Sequence, residues 1–224
     1  MALIDLETAM RERHSVRQYD PAPLSNAVKG ALIDQIEECN RLSGLHIQLV
    51  TDEPAAFEGG LVKYGSFENV RNYIALVGRR GDDLDERCGY YGQKIVLRAQ
   101  QIGLNTCWVG LKVRTVPGAY KLGSDEKLCL VIAVGYGLNE GKPHASKTPE
   151  QVSNLKEGDP EWFRAGVEAA LLAPTAMNQQ KFRLERRGRR VTAKAGLGFF
   201  TKVDLGIVKY NFELGAGAGN FLWK

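Results

Sequence analysis

The stretch LCLVIAVGYG, residues 128–137, is apolar almost without interruption. A strand with one wet face alternates polar and apolar side chains, so such a run reads as an interior strand covered on both faces. Helical periodicity on either side of it supplies the covering layers. Leu3, Leu6 and Met10 recur at helical spacing and predict a short amphipathic helix that delivers Arg13 at its end. Ser25 is placed to cap a helix with Val28, Leu32, Ile36 and Cys39 on one face and Gly44 as its stop. Tyr91, Ile95, Ala99 and Ile102 predict a central, largely buried helix of about three turns that ends at Gly103. Strands are expected where Ile47 and Leu49 alternate with polar neighbours, and in YIALVG, residues 73–78.

Residues 138–160 are polar and rich in Gly, Pro, Ser and Lys, and read as a connecting segment. Asp159 before Pro160 predicts a helix start, Phe163, Val167, Ala170 and Leu171 its apolar face, and Pro174 its end. FRLERRGRRVTAKAG reads as a hairpin turning at RRGRR. A last helix over roughly 203–214 carries Leu205, Val208 and Phe212 on one face. GAGAGN, residues 215–220, reads as a flexible turn, because it follows a helix and no Lys-Ser/Thr closes it as in a phosphate loop. RRGDDLDERCG reads as a solvated charged loop, and residues 52–72 as a loop or broken helix without a recognisable motif.

With 224 residues, 44% hydrophobic and 25% charged, the chain has the composition of an ordinary globular protein. The net charge of +4 suits an anionic ligand, and with RRGRR it leaves a basic nucleic-acid-binding module as a third-ranked reading behind the two given below. No apolar run approaches the ~20 residues of a membrane span. The N-terminal MALIDLETAMRERH has acids where a signal peptide would be basic, so a cytoplasmic location is expected. The four cysteines form no C-x-x-C and the three histidines are scattered, so buried reduced thiols are expected and no metal site.

The chemistry-bearing stretch is RHSVRQYD, residues 13–20. On an extended backbone Arg13, Ser15 and Arg17 leave from one face. Guanidiniums donate in a bidentate fork and keep their charge, which suits a phosphate. From spacing alone the stretch reads as an anion cradle or as a solvated basic helix end.

RHSVRQY followed by Pro and Leu resembles the opening signature of the FMN-dependent nitroreductase family, R-x-S-x-R-x-[FY]. GLNTCWVG, residues 103–110, resembles that family's G-L-G-T-C-W-I-G, and APTAMNQQKFRL, residues 173–184, its A-P-S-x-x-N-x-Q-P-W-x-F. The resemblance implies an α+β nitroreductase-like fold, with central helices packed on a mixed, mostly antiparallel sheet. It implies non-covalent FMN reduced by NADH or NADPH and reoxidised by a small-molecule acceptor such as a nitro compound or quinone. The alternative is an FMN carrier or sensor with little turnover. No membrane or nucleic-acid partner is expected.

By motif position, Arg13 and Ser15 would meet the phosphate and ribityl end, with His14 between them. Arg17 would lie near the pyrimidine edge. Thr175 and Asn178 would hydrogen-bond the flavin or ribityl chain, with Pro174 and Met177 packing beside it. Trp108, Val109 and Gly110 would border the ring, although Trp108 also reads as a core aromatic. Lys147 would close over the phosphate or stay solvated. No side chain is assigned a catalytic role. Asn105 stands where the family has glycine, and Lys181 where it has proline, which bears on the choice of acceptor.

The Pro-Thr-Ala-Met-Asn stretch stands far later in the chain than the family order places it. GALIDQIEECNRLSGLHIQLV aligns at modest identity with GVEAALLAPTAMNQQKFRLER, and YGQKIVLRAQQIG with LGIVKYNFELGAGAG. Two unrelated helix-strand units would also give this pattern. The expectation is that residues 1–155 form a nitroreductase-like first copy and 156–224 a shortened second copy, packed as a pseudo-dimer. Only the first has the arginines and only the second the Pro-Thr stretch. A monomer could then complete one site, with higher oligomers possible.

Overall fold

The computed structural model describes residues 3–58, 67–110 and 114–224. Part of the unassigned region 52–72 therefore lies outside the described residues. An opening helix α1 (Leu6–Glu12) and a long α2 (Asn26–Ser43) lead to β1 (Gln48–Val50) and β2 (Tyr73–Arg79). The helix α3 (Leu84–Gln101) is followed by β3 (Asn105–Val109) and β4 (Glu126–Gly135). A one-turn helix α4 (Pro149–Val152), α5 (Glu161–Leu171), the hairpin β5 (Phe182–Arg187) and β6 (Arg190–Ala195), α6 (Thr201–Ala216) and β7 (Leu222–Trp223) complete the chain.

The main sheet has four strands in the order β1-β2-β4-β3, every neighbour antiparallel. The period-2 alternation of β4 explains its unbroken apolar run. Leu130, Ile132 and Val134 face one core with Ile74 and Leu76 of β2 and the buried faces of α3 and α6. Val131 and Ala133 face a second core with Val16, Tyr19, Phe57, Val70 and Tyr73. The smaller sheet pairs β5 with β6 antiparallel and β6 with β7 parallel. Its Phe182, Leu184 and Val191 pack into the first core with Phe163, Phe212 and Phe221, so both halves of the sequence share one hydrophobic core. This is an α+β fold of the kind the sequence predicts.

The helices α3 and α6 cross through glycines. A methyl group on Gly89 would fall onto the Val203 carbonyl, and one on Gly206 onto the Glu86 carbonyl. Backbone meets backbone at both points, which brings the N-terminal ends of the two helices together.

Ser25 caps α2 through the Val28 amide at 3.3 Å, and Gly44 ends it with φ of 68°, as predicted. Four local details differ. Helix α3 starts at Leu84 inside the segment read as a charged loop. Asp85 and Glu86 there lie in its first turn, where acids complement the helix dipole, and Leu84 is fully buried. Pro160, not Asp159, precedes α5, because the Asp159 carboxylate accepts from the Lys156 amide and pairs with Arg186 instead. Leu3 lies outside α1 and is exposed. The connecting segment contains α4 and then buries Val152, Ser153 and Leu155, with Asn154 exchanging hydrogen bonds with the backbone of Arg186.

Candidate active site

The arginine stretch runs extended from the end of α1. The Arg13 amide closes that helix on the Ala9 carbonyl, Ser15 bridges to Thr106, and the Val16 amide donates to the Thr106 carbonyl at 3.1 Å. Tyr19 is a fully buried anchor, its hydroxyl donating to the Val16 carbonyl at 2.7 Å. The stretch is thus fastened alongside β3, and Ser15 and Arg17 point to a cavity on that side.

The opposite wall is the segment after α5. Met177, Asn178 and Gln180 have φ of 50°, 52° and 45°. Non-glycine residues in the left-handed region cost about 1–3 kcal/mol each and persist only where the surroundings fix them. Here the Gln180 amide donates to Thr175 Oγ1 at 3.0 Å, and the Asn178 side chain donates to the Ala145 carbonyl at 2.8 Å. The Gln180 side chain donates to Asn178 Oδ1 and to the Ala145 carbonyl. Lys147 Nζ donates to the Gln180 carbonyl at 2.8 Å and the Lys147 amide to Gln180 Oε1 at 2.9 Å.

Between these walls lies a cavity of about 140 Å³. Ser15, Arg17, Trp108, Val109, Gly110, Pro174, Thr175 and Met177, all named from the sequence, line it. Arg13, His14, Lys147 and Asn178 do not. Arg13 is buried, 4% exposed, with Nε and Nη1 without a hydrogen-bond partner. Burial pushes its guanidinium down to about 10. His14 is held below the usual histidine range by burial and then by Arg13. Lys147 and Asn178 are engaged in bracing the turn.

The lining also contains residues that sequence reasoning passed over: Cys107, Leu130, Ala176, Phe200, Val203, Asp204 and Ile207. Phe200 packs its ring on Gly110, 2.6 Å from where a methyl group there would be. Burial raises the Cys107 thiol. Asp204, in the first turn of α6, is 3% exposed and burial pushes its carboxyl up to about 6. The signal for it was available: VDLGIV, residues 203–208, is a lone acid in an apolar helical run. His144, in the connector, is held below the usual histidine range by burial and then by Arg13 and His14. Asn105, where the resemblance expects glycine, accepts from the Gly137 amide and donates to Glu140, tying β3 to the connector.

An α+β core whose cavity is walled by an arginine-bearing extended stretch and a Pro-Thr turn defines a nitroreductase-like fold. The chain belongs to the nitroreductase family described as "Putative TM nitroreductase", whose model matches residues 5–216. The crystal structure of a "putative nitroreductase" from Thermotoga maritima MSB8 is similar with a TM-score of 0.68 at 20% identity, over 96% of this chain and 85% of that one. A "putative nitroreductase in complex with FMN" from Desulfovibrio desulfuricans is similar with a TM-score of 0.54 at 18% identity, over 70% and 99% of the two chains. A nitroreductase family protein from Streptococcus pneumoniae TIGR4 gives 0.52 at 12% identity, over 66% and 98%. No curated protein matches the chain. Among the described residues, no helix is long and apolar enough to cross a membrane.

Proposed function

We propose that this chain is an oxidoreductase that holds one FMN non-covalently in the cavity, is reduced by NADH or NADPH, and passes electrons to a small-molecule acceptor such as a nitro compound or quinone. One observation carries this reading. Ser15 and Arg17 from the start of the chain and Pro174, Thr175 and Met177 from its last third line a single cavity within one chain. The orphaned donors fit the cofactor: Arg13 Nε and Nη1 and Trp108 Nε1 are buried without partners, and such groups call for an acceptor. A phosphate is the acceptor that Arg13 matches best.

Bound FMN supplies the hydride chemistry, and the protein supplies position and electrostatics. Arg13, His14 and Ser15 would hold the phosphate and ribityl end. Arg17 would supply a cation near the pyrimidine edge, which would favour added electron density there. Thr175 would offer a hydrogen bond, Asn178 would hold the turn through Ala145 and Gln180, Pro174 and Met177 would give apolar contact, and Trp108, Val109 and Gly110 would border the ring. Lys147 serves by fixing Gln180 and hence the turn.

The same reading makes residues 156–224 a shortened second copy of 1–155. Trp223 borders a groove with Asp83, Glu86, Arg87, Tyr90, Lys209 and Glu213. That groove is occupied by its own polar contacts, Lys209 with Glu86 at 2.6 Å and Trp223 Nε1 with Glu213 at 2.6 Å. On this reading each chain would complete one site.

The test is the visible spectrum and FMN-to-protein ratio of the purified protein. Yellow protein with about one FMN per chain, bleached rapidly by NADH or NADPH, is expected. A colourless protein that takes up no FMN at micromolar concentration overturns the reading, and FMN that bleaches only very slowly converts it to the carrier or sensor.

A further inference from the structure

The carboxylate of Asp204 ties together two segments that approach the cavity from different parts of the chain. Its Oδ1 accepts from the Ala176 amide at 2.9 Å, inside the left-handed turn. Its Oδ2 accepts from Gln179 Nε2 at 2.8 Å, and that same nitrogen donates to the Phe199 carbonyl at 2.8 Å. Phe199 precedes Phe200, whose own φ is 59° and whose ring lies on Gly110. One buried group therefore fixes the turn that presents Pro174, Thr175 and Met177, and through Gln179 it fixes the bend that presents Phe200.

Asp204 also lines the cavity. Among the described residues, the other ionisable groups on the lining are Arg17, on the extended stretch, and the Cys107 thiol of β3. From the turn it meets only the Ala176 amide and the Gln179 side chain, and its neighbours along α6, Val203 and Ile207, are apolar. No cation forms an ion pair with it among the described residues.

We infer that Asp204 is a positioning residue of the flavin site, which locks the 174–180 turn to the 197–200 bend and presents a negative charge to the flavin in opposition to Arg17. The inference rests on the flavin reading given above. A carboxylate at the cavity wall disfavours electron density arriving on the ring, as Arg17 favours it. Burial holds its proton up to about pH 6, so this charge is present at neutral pH and disappears in mild acid.

The experiment compares the native protein with Asp204→Asn and Asp204→Ala in three readouts. These are FMN affinity by visible absorption, the flavin midpoint potential from pH 5 to 8, and amide exchange of residues 174–180 and 197–200 measured without flavin. Asp204→Asn keeps an acceptor for the Ala176 amide but no charge. It should bind FMN within about threefold of native, raise the midpoint potential at pH 8, and remove the native inflection of the potential near pH 6. Asp204→Ala leaves the Ala176 amide and Gln179 without an acceptor. It should weaken FMN at least ~tenfold and accelerate exchange in both segments together. An unchanged potential in Asp204→Asn overturns the electrostatic role, and unchanged exchange in Asp204→Ala overturns the positioning role. Native protein that bound no FMN would refute the flavin reading itself and with it the electrostatic role, and the amide exchange would still decide whether Asp204 locks the two segments.

Discussion

Gln93 of α3 donates through Nε2 to Oδ1 of Asn211 on α6 at 3.1 Å, with both side chains fully buried. Asn211 passes the connection on, donating to the Ala169 carbonyl of α5 at 3.2 Å. A polar link of this kind inside an apolar helix crossing has no water to fall back on, so removing one partner costs more than the bond itself is worth. Asn211→Leu should lower stability by about 1–3 kcal/mol, read as a lower urea midpoint at unchanged slope. Adding Gln93→Leu should recover part of that loss, since no donor is then stranded.

The glycines of the crossing give a second contrast. Gly206→Ala and Gly89→Ala drive a methyl into backbone and should destabilise by ~2–3 kcal/mol or more, since neither helix can give way. Gly30→Ala, within α2 and open on its exterior, should stabilise by about 0.5–1 kcal/mol. Thermal melts of the three variants check both signs. Comparable destabilisation by all three would mean that the crossing is not the tight point.

Arg13 and Arg17 should separate by readout. Arg13→Ala should weaken FMN by about 1.5–3 kcal/mol, the scale of a hydrogen bond to a charged group. Without flavin, Arg13→Met should melt higher than native, because it removes a buried cation whose Nε and Nη1 are unpartnered. Arg17→Ala should lower the flavin midpoint potential and slow reduction more than it weakens binding. Equal effects of Arg13→Ala and Arg17→Ala on affinity alone would show that their roles are misassigned.

Asp204 predicts a pH dependence of folding with a definite sign. Its carboxyl is raised from 3.8 to about 6 in the folded chain, so the folded state binds the proton more tightly than the unfolded state. Its contribution is therefore most favourable below about pH 4 and is lost as pH rises to about 6, a change of roughly 2–3 kcal/mol. Asp204→Asn should flatten that part of the stability profile. Denaturation midpoints from pH 4 to 7 that fall equally in native and variant would assign the dependence to other groups.

Much of the architecture was readable because it rests on local rules. The period-2 burial of β4, the Ser25 cap, the Gly44 stop and the hairpin at 182–195 follow from side-chain spacing and backbone preference. The start of α3 was not readable in that way. Its acids look like a solvated loop until Leu84 is seen to be buried and the dipole of the helix to favour them. Asp159 was misplaced for a related reason: a carboxylate that could cap a helix is drawn instead to Arg186, which arrives from a distant strand.

The sequence by itself determined the ingredients of the cavity. RHSVRQY, GLNTCWVG and APTAMNQQ each carry their backbone habit and chemistry in a few consecutive residues, and most of the residues named from them line the same space. Tertiary structure alone decided which of them face it. Arg13 is buried with two unpartnered donors, and Lys147 and Asn178 are engaged in bracing a left-handed turn. Asp204 and Phe200, which carry no motif, complete the lining because the glycines of α3 and α6 let two backbones touch and set the first turn of α6 against the cavity. Those placements depend on contacts between residues far apart in the chain, and the energy of such contacts belongs to the packed molecule rather than to any stretch of sequence.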